Sequence, residues 1–179
     1  MRIITGKYGG RKINPPSRMP YTRPTTDVAK EGLFNIIENN ISISGIKTLD
    51  IFGGTGSISY ELASRGAADL MIIEKDAKMY EFIKSKIAEF KIENCEVIKS
   101  DVFKFLENCS EKFDLIFAGP PYALKNIDDL PRIIREKKLL AEGGWFILEH
   151  TPANNYENEL MFKTMRNYGT TVFSIFINK

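Results

Sequence analysis

The sequence predicts a doubly wound α/β fold: a mostly parallel seven-stranded sheet, closed by an antiparallel C-terminal hairpin and preceded by a small N-terminal β-hairpin. Three observations predict it. From residue 47 onward, short apolar runs alternate with amphipathic stretches of helical period. The runs Leu70-Met71-Ile72-Ile73 and Leu115-Ile116-Phe117-Ala118 are unbroken, as strands covered on both faces should be. The chain closes with two β-type runs, 161–167 and 171–177, around Tyr168-Gly169. Strands joined through helices need right-handed crossovers, which lay them in parallel between two layers of helix. At 179 residues the chain can bury one full core.

Residues 2–5 and 11–14 flank Gly6-Lys7-Tyr8-Gly9-Gly10 and read as a hairpin, too short to stand unless it docks. Pro15 to Pro24 is a proline-rich connector. Thr25, Thr26 and Asp27 offer cap oxygens to a helix from Asp27 to Asn39, with Val28, Leu33, Ile36 and Ile37 as its apolar stripe. Residues 48–52 form a strand and Gly53 to Ser57 a tight loop. The following helix runs to Arg65, with Gly66 just past its end. A strand over 70–74 precedes a helix over 79–90 whose Ile83, Ile87 and Phe90 share one face. A strand over 96–98, a short helix over 102–106, a strand over 113–118 and an Arg/Lys-rich helix over 130–139 come next. Gly143-Gly144 leads into a fifth strand, 145–149. This divides the chain into a basic hairpin and linker, 1–26, and a main domain, 27–179.

Six of the chain's 25 basic residues and none of its 23 acids fall within 1–26: Arg2, Lys7, Arg11, Lys12, Arg18 and Arg23. A basic arm on a mildly acidic body points to a polyanion, nucleic acid, held at one edge. No apolar run approaches the roughly 18 residues of a membrane span. Met1 to Gly6 lacks a signal-peptide core. Cys95 and Cys109 match no metal or redox spacing and read as plain thiols in a reducing cytoplasm. The expectation is a cytoplasmic monomer with no metal and no membrane partner.

The chemistry gathers at strand ends. Asp50-Ile51-Phe52-Gly53-Gly54-Thr55-Gly56 ends the first strand, where glycines let a ligand approach the backbone and the next helix offers free N–H groups. Glu74 ends the second strand, placed to accept from a ribose. Nicotinamide dinucleotides and S-adenosylmethionine both fit that much. A dinucleotide loop would end in Gly or Ala where this chain has Ser59. Asp50 would repel a pyrophosphate but could receive a cationic methionine moiety, so S-adenosylmethionine is favoured. Asp101, before Val102, suits either an adenine amine or a helix cap. After strand four, Gly119-Pro120-Pro121-Tyr122 forms a stiff turn, because proline fixes its φ and cannot donate to a sheet. Tyr122 at its tip suits stacking on a nucleobase. The lone His150 reads as a core or edge histidine rather than a base.

In this order and spacing, Asp50 to Gly56, Glu74, Asp101 and Pro-Pro-Tyr resemble a Rossmann-like class I S-adenosylmethionine-dependent methyltransferase. The stretches Met1 to Lys12, Thr22-Arg23-Pro24-Thr25-Thr26-Asp27 and Leu33-Phe34-Asn35-Ile36 are similar to the RsmD family of 16S ribosomal RNA guanine-N2 methyltransferases. The resemblance implies that Gly53, Gly54 and Gly56 cradle the cofactor, with Asp50, Phe52 and Lys75 beside them. It implies Glu74 at the ribose, and Asp101 with Val102 at the adenine. Arg23 and Thr25 would lie over the pocket, and Arg2, Lys7, Arg11, Lys12 and Arg18 would meet RNA. Gly119, Pro120, Pro121 and Tyr122 would form the catalytic turn. The implied partner is 16S rRNA within the 30S subunit, and the reaction rRNA methylation.

Gly119 departs from the family pattern, which has Asp or Asn before Pro-Pro-Tyr. A guanine N2 lone pair is delocalised, and two acceptors are expected to hold the amine hydrogens: a side-chain oxygen and the Pro120 carbonyl. Gly119 supplies no such oxygen, and losing one such bond typically costs on the order of 10²–10³ in rate. The expectation is weakened, rerouted or lost catalysis, with Asp128 or Asp129 as nearby carboxylates. The alternatives are a silent RNA-binding or ribosome-assembly factor of the same fold, or a nucleic-acid adenine-N6 methyltransferase.

Overall fold

The structure, a computed structural model, describes residues 1–16 and 25–179. Its strands are β1 (Lys47–Asp50), β2 (Asp69–Glu74), β3 (Cys95–Lys99), β4 (Phe113–Ala118), β5 (Leu140–His150), β6 (Phe162–Tyr168) and β7 (Thr171–Ile177). Its helices are α1 (Asp27–Glu38), α2 (Ser57–Ser64), α3 (Ala77–Phe90), α4 (Val102–Asn108) and α5 (Asp129–Glu136). The seven strands form one sheet in the order β3-β2-β1-β4-β5-β7-β6, so β3 and β6 are its edges. The first five are parallel; β7 runs antiparallel to both β5 and β6. Strand order reverses between β1 and β4, which opens a crevice at their carboxyl ends.

Alternation along the strands sorts the helices. Leu49, Ile51, Met71 and Ile73 pack with Val102 and Leu106 of α4 and Leu130 and Ile134 of α5. Leu70, Leu115, Phe117 and Ile147 pack with Leu33 and Phe34 of α1 and Ile58 and Leu62 of α2. A third cluster joins Ile72, Tyr60 of α2 and Ile83 and Phe90 of α3 to Ile3, Tyr8 and Ile13 of the N-terminal arm.

Several boundaries differ from the sequence reading, each for a local reason. The expected N-terminal hairpin is a single antiparallel bridge, Arg2 with Lys12, tied by Ile3 N–H to Arg11 C=O at 3.0 Å and Ile13 N–H to Met1 C=O at 3.0 Å. The arm's stability comes from docking rather than from strand length. Thr26, not Thr25 or Asp27, caps α1, accepting from Ala29 N–H at 3.2 Å. Val28, expected on the buried stripe, is 73% exposed, and Ala29 and Lys30 are buried beside it instead. Asp76 caps α3 through Met79 N–H at 2.9 Å and starts it two residues earlier than expected. Helix α5 stops at Glu136 because Lys138 turns left-handed (φ 54°) and Leu139 N–H closes onto Ile134 C=O at 3.1 Å. Gly143-Gly144 lies inside β5: Phe113 pairs with Leu140 but Leu115 with Trp145, so the extra residues bulge out.

The arm is held by a dry ionic knot. The buried Glu61 carboxylate accepts from Ile4 N–H (2.8 Å), Thr5 N–H (3.1 Å) and the Arg65 guanidinium (2.9 and 2.8 Å). Lys30 Nζ lies 3.7 Å from Glu61 and donates to Arg2 C=O at 2.6 Å and Ser57 Oγ at 3.1 Å. Burial pulls the Lys30 pKa down, and Glu61 pushes it back up. Ser64 completes the seat: its hydroxyl donates to Thr5 C=O and accepts from Tyr8 N–H. Removing one member of a buried pair strands the other, at about 3–5 kcal/mol. Glu61→Leu is therefore expected to cost about that much in urea unfolding, and to open the arm to trypsin at Lys7, Arg11 and Lys12. Adding Lys30→Met should recover part of the loss; full additivity would show that the two charges act separately.

Candidate functional site

A cleft of about 410 Å³ opens at the crevice between β1 and β4. Four chain segments line it. Asp50, Phe52, Gly53, Gly54, Thr55, Ser57 and Ile58 come from the end of β1 and the start of α2; Phe117 and Gly119 to Ala123 from the end of β4; Glu149 from the end of β5. Thr25, just before α1, closes the rim. The sequence-predicted Thr25, Asp50, Phe52, Gly53, Gly54, Gly119, Pro120, Pro121 and Tyr122 are thus brought together.

The glycine loop is shaped by sterics. Gly54 and Gly56 have φ of 53° and 76°, the left-handed region that glycine enters without strain. A Cβ at Gly53 would lie 2.6 Å from Ile72 Cγ2, and one at Gly56 2.3 Å from the Tyr60 ring. Glu74 Oε2 accepts from Gly54 N–H at 2.7 Å, and its Oε1 accepts from Asp76 N–H at 2.7 Å. Burial pushes the Glu74 pKa up, against those backbone bonds. Glu74 is therefore the strut of the loop.

Asp50 forms the floor. It is 2% exposed, and its Oδ2 accepts from Ser59 Oγ at 2.9 Å and its Oδ1 from Phe52 N–H at 3.2 Å. Burial pushes its pKa up to about 7, with Ser59 and Phe52 opposing and the Glu74 and Glu149 charges adding to the rise. An ammonium group entering the cleft would reverse that burial penalty. For S-adenosylmethionine the donor set fits: a buried carboxylate for the amino group, and the glycine backbone of Gly53 and Gly54 lining the cleft beside it.

Other predicted residues stand apart. Gly56, Glu74, Lys75, Asp101 and Val102 are not among those lining the cleft. Asp101 caps α4 through Phe103 N–H at 3.0 Å and pairs with Lys75 Nζ at 3.0 Å, which holds its carboxyl below the usual range. Arg2, Lys7, Arg11 and Lys12 are exposed on the arm, and Arg11 lies 5.3 Å over the Tyr8 ring and 5.2 Å over that of Phe90. Arg18 and Arg23 lie outside the described residues. His150 is a core histidine, 1% exposed, with Nδ1 at 2.8 Å from Thr151 O and Nε2 at 2.8 Å from Ser174 Oγ. Among the described residues, no group of three metal-ligating side chains converges and no helix is long and apolar enough to cross a membrane.

The carboxylate nearest Gly119 is not one of the two expected. Asp128 accepts from Tyr156 OH at 2.7 Å, and Asp129 pairs with Arg132 at 2.9 Å. Glu149 stands there instead, with Oε2 3.6 Å from where a Gly119 Cβ would be. Sequence reasoning passed over it although it ends an apolar strand just as Glu74 does. Gly56→Ala, which forces a methyl into both a left-handed backbone and the Tyr60 ring, is expected to destabilise by about 2–4 kcal/mol in urea unfolding. An unchanged midpoint would show that neither the left-handed backbone nor the Tyr60 ring resists the methyl.

The geometry agrees with comparisons to known proteins. The family described as Conserved hypothetical protein 95 matches residues 1–177. YlbH of Bacillus subtilis is 29% identical over 183 residues, covering 98% of each chain. The Haemophilus influenzae ribosomal RNA small subunit methyltransferase D is 35% identical over 149 residues, 81% of this chain and 72% of its own. The solved structure of Escherichia coli YhhF superposes with a TM-score of 0.87 at 25% identity, covering 100% of this chain and 98% of that one. With the seven-stranded sheet, the strand-one glycine loop and the Pro-Pro-Tyr turn all in place, the chain belongs to this family, that of the RsmD-type S-adenosylmethionine-dependent methyltransferases.

Proposed function

We propose that this chain transfers the methyl group of S-adenosylmethionine to the exocyclic N2 of a guanine in 16S ribosomal RNA, with the small ribosomal subunit as its substrate. One observation carries the reading: the glycine loop after β1 and the Pro-Pro-Tyr turn after β4 line a single cleft. A cofactor on the first and a flat base on the second would meet there. The name of the Haemophilus influenzae relative supports ribosomal RNA as the substrate class. In this reading residues 1–26 form the RNA-contacting arm and 27–179 the methyltransferase domain. Arg2, Lys7, Arg11 and Lys12 meet phosphates, together with Arg18, and Arg23 and Thr25 serve the cofactor. Glu74 receives the ribose while bracing Gly54, and Asp101 and Val102 flank the adenine, with Lys75 alongside.

The cofactor brings the electrophile, a methyl on a sulfonium, so the protein's work is positioning. Asp50 holds the amino-acid end. A flipped-out guanine stacks on Tyr122, which is 46% exposed at the mouth. The N2 lone pair attacks the methyl carbon in line, the S–C bond electrons pass to sulfur, and the surplus proton leaves to water. The test is tritiated-methyl transfer to under-methylated 30S particles and to naked 16S rRNA, followed by nucleoside analysis. Label in N2-methylguanosine supports the reading. Label in N6-methyladenosine would move the substrate to adenine, and RNA binding without label would leave a silent binding factor.

Asp50 gives a pH signature. Its carboxyl is half-protonated near pH 7 and must be ionised to pair with an ammonium. A raised carboxylate pKa means that affinity is present above it and is lost as pH falls through it. Affinity for S-adenosylmethionine is thus expected to fall by up to about tenfold per pH unit below 7, with proton release on binding. Calorimetry in buffers of different ionisation enthalpy measures both. Asp50→Asn should bind weakly with no such slope; a slope that survives in that variant would assign it to another group.

A further inference from the structure

We infer that Glu149 is a catalytic residue, supplying the acceptor for the substrate amine that position 119 lacks. The inference rests on the methyl-transfer reading and names the group that orients its nucleophile. An amine whose lone pair must point at a methyl group needs its two hydrogens held, and carbonyl or carboxylate oxygens are the groups that hold them. The Pro120 carbonyl is one such oxygen in the turn. Gly119 has no side chain, so a second must come from another element.

Glu149 meets the geometric demands. It is the last residue but one of β5, next to β4 in the sheet, with Leu148 in register with Ala118, so the two strands deliver Glu149 and Gly119 side by side. It lines the cleft together with Gly119, Pro120 and Tyr122. Its Oε2 lies 3.6 Å from the point where a Gly119 Cβ would sit, so its carboxylate borders the space that a side chain at 119 would enter. The residue is 6% exposed, and Thr25 Oγ1 donates to Oε2 at 2.7 Å, which holds the carboxylate at the cleft wall. Asp128 and Asp129 line no part of the cleft.

The same geometry explains why the glycine is tolerated. A Cβ at 119 would stand 3.1 Å from the edge of the Phe117 ring as well as beside Glu149. An acidic side chain there would crowd the ring and set two carboxylates against each other, a pairing that disfavours ionisation of both. One carboxylate belongs in this space, and here it grows from β5 instead of β4. Thr25 acts as a positioning residue, since it touches Glu149 and sits at the rim.

The test compares single-turnover methyl transfer to 30S particles by the unaltered chain, Glu149→Gln, Gly119→Asp and the double variant, alongside calorimetry with S-adenosylmethionine. Glu149→Gln is expected to lower the rate on the order of 10²–10³-fold, with cofactor affinity changed by no more than about threefold. Gly119→Asp alone should be no faster than the unaltered chain. In the Glu149→Gln background, however, it should restore the rate at least about tenfold, which a merely structural role would not do. Should the Gln variant fold poorly, Glu149→Asp keeps the charge but shortens its reach, and the rate should fall while affinity holds. An undiminished rate in Glu149→Gln, a matching loss of cofactor affinity, or no rescue by the second substitution would overturn the inference and leave the methyl-transfer reading standing. An unaltered chain that binds cofactor and RNA but moves no methyl would overturn both.

Discussion

The buried carboxylate of Glu61 is the interaction on which the rest of the structure depends. A charge in a dry interior is tolerated only when its oxygens are fully engaged. Here the partners come from three directions: two backbone amides of the arm, the guanidinium of Arg65, and Lys30 on α1. Glu61 sits on α2, the helix that starts at the glycine loop, so the knot that seats the arm also fixes the loop's far end. Lys30 reaches from α1 to Ser57 in the first turn of α2. The start of α1 in turn places Thr25 against Glu149. Arm, loop and cleft rim are thereby set by one network.

The sheet supplies the other half of the arrangement. Reversal of strand order between β1 and β4 brings two unlike turns face to face, one soft and one stiff. The glycine loop is held by Glu74 from the neighbouring strand and by the close approach of Ile72. The proline turn is rigid by covalent geometry. Each is thus organised before any ligand arrives, which is where the advantage of such a site lies, because reorganisation during reaction costs rate.

Much of this was legible in the sequence, since it rests on local rules. Apolar or β-type runs marked all seven strands, and Gly66, with φ of 98°, stands just past α2 as its position implied. The segments for the loop and the turn were read with their strand positions. What escaped depends on partners distant in the chain. Val28 fits a helical stripe, but the body lies on the side of Lys30, whose charge is paid for by Glu61 some thirty residues on. The arm looks like a hairpin because its β-type residues do bury, yet they do so against α2 and α3 rather than by pairing at length. Gly143-Gly144 looks like punctuation and is a bulge, because β4 begins pairing before it. Glu149 gives no local sign of its neighbour at Gly119, since β4 and β5 are joined in register only by the folded sheet.

The edges of that sheet bear on how the molecule behaves in a crowd of its own kind. An edge strand offers unpaired amides and carbonyls to any other strand that meets it. Here β3 carries exposed Glu96 and Lys99, and β6 carries exposed Lys163 and Arg166. Extending the sheet across either border would bury these charges or press like against like. Because β7 is inserted between β5 and β6, the most apolar strand of the closing hairpin is paired on both sides and the charged one faces outward. The order of the last two strands thus guards against aggregation by sheet extension, and exchanging their places would expose a mostly apolar border, 171–177, to every passing chain.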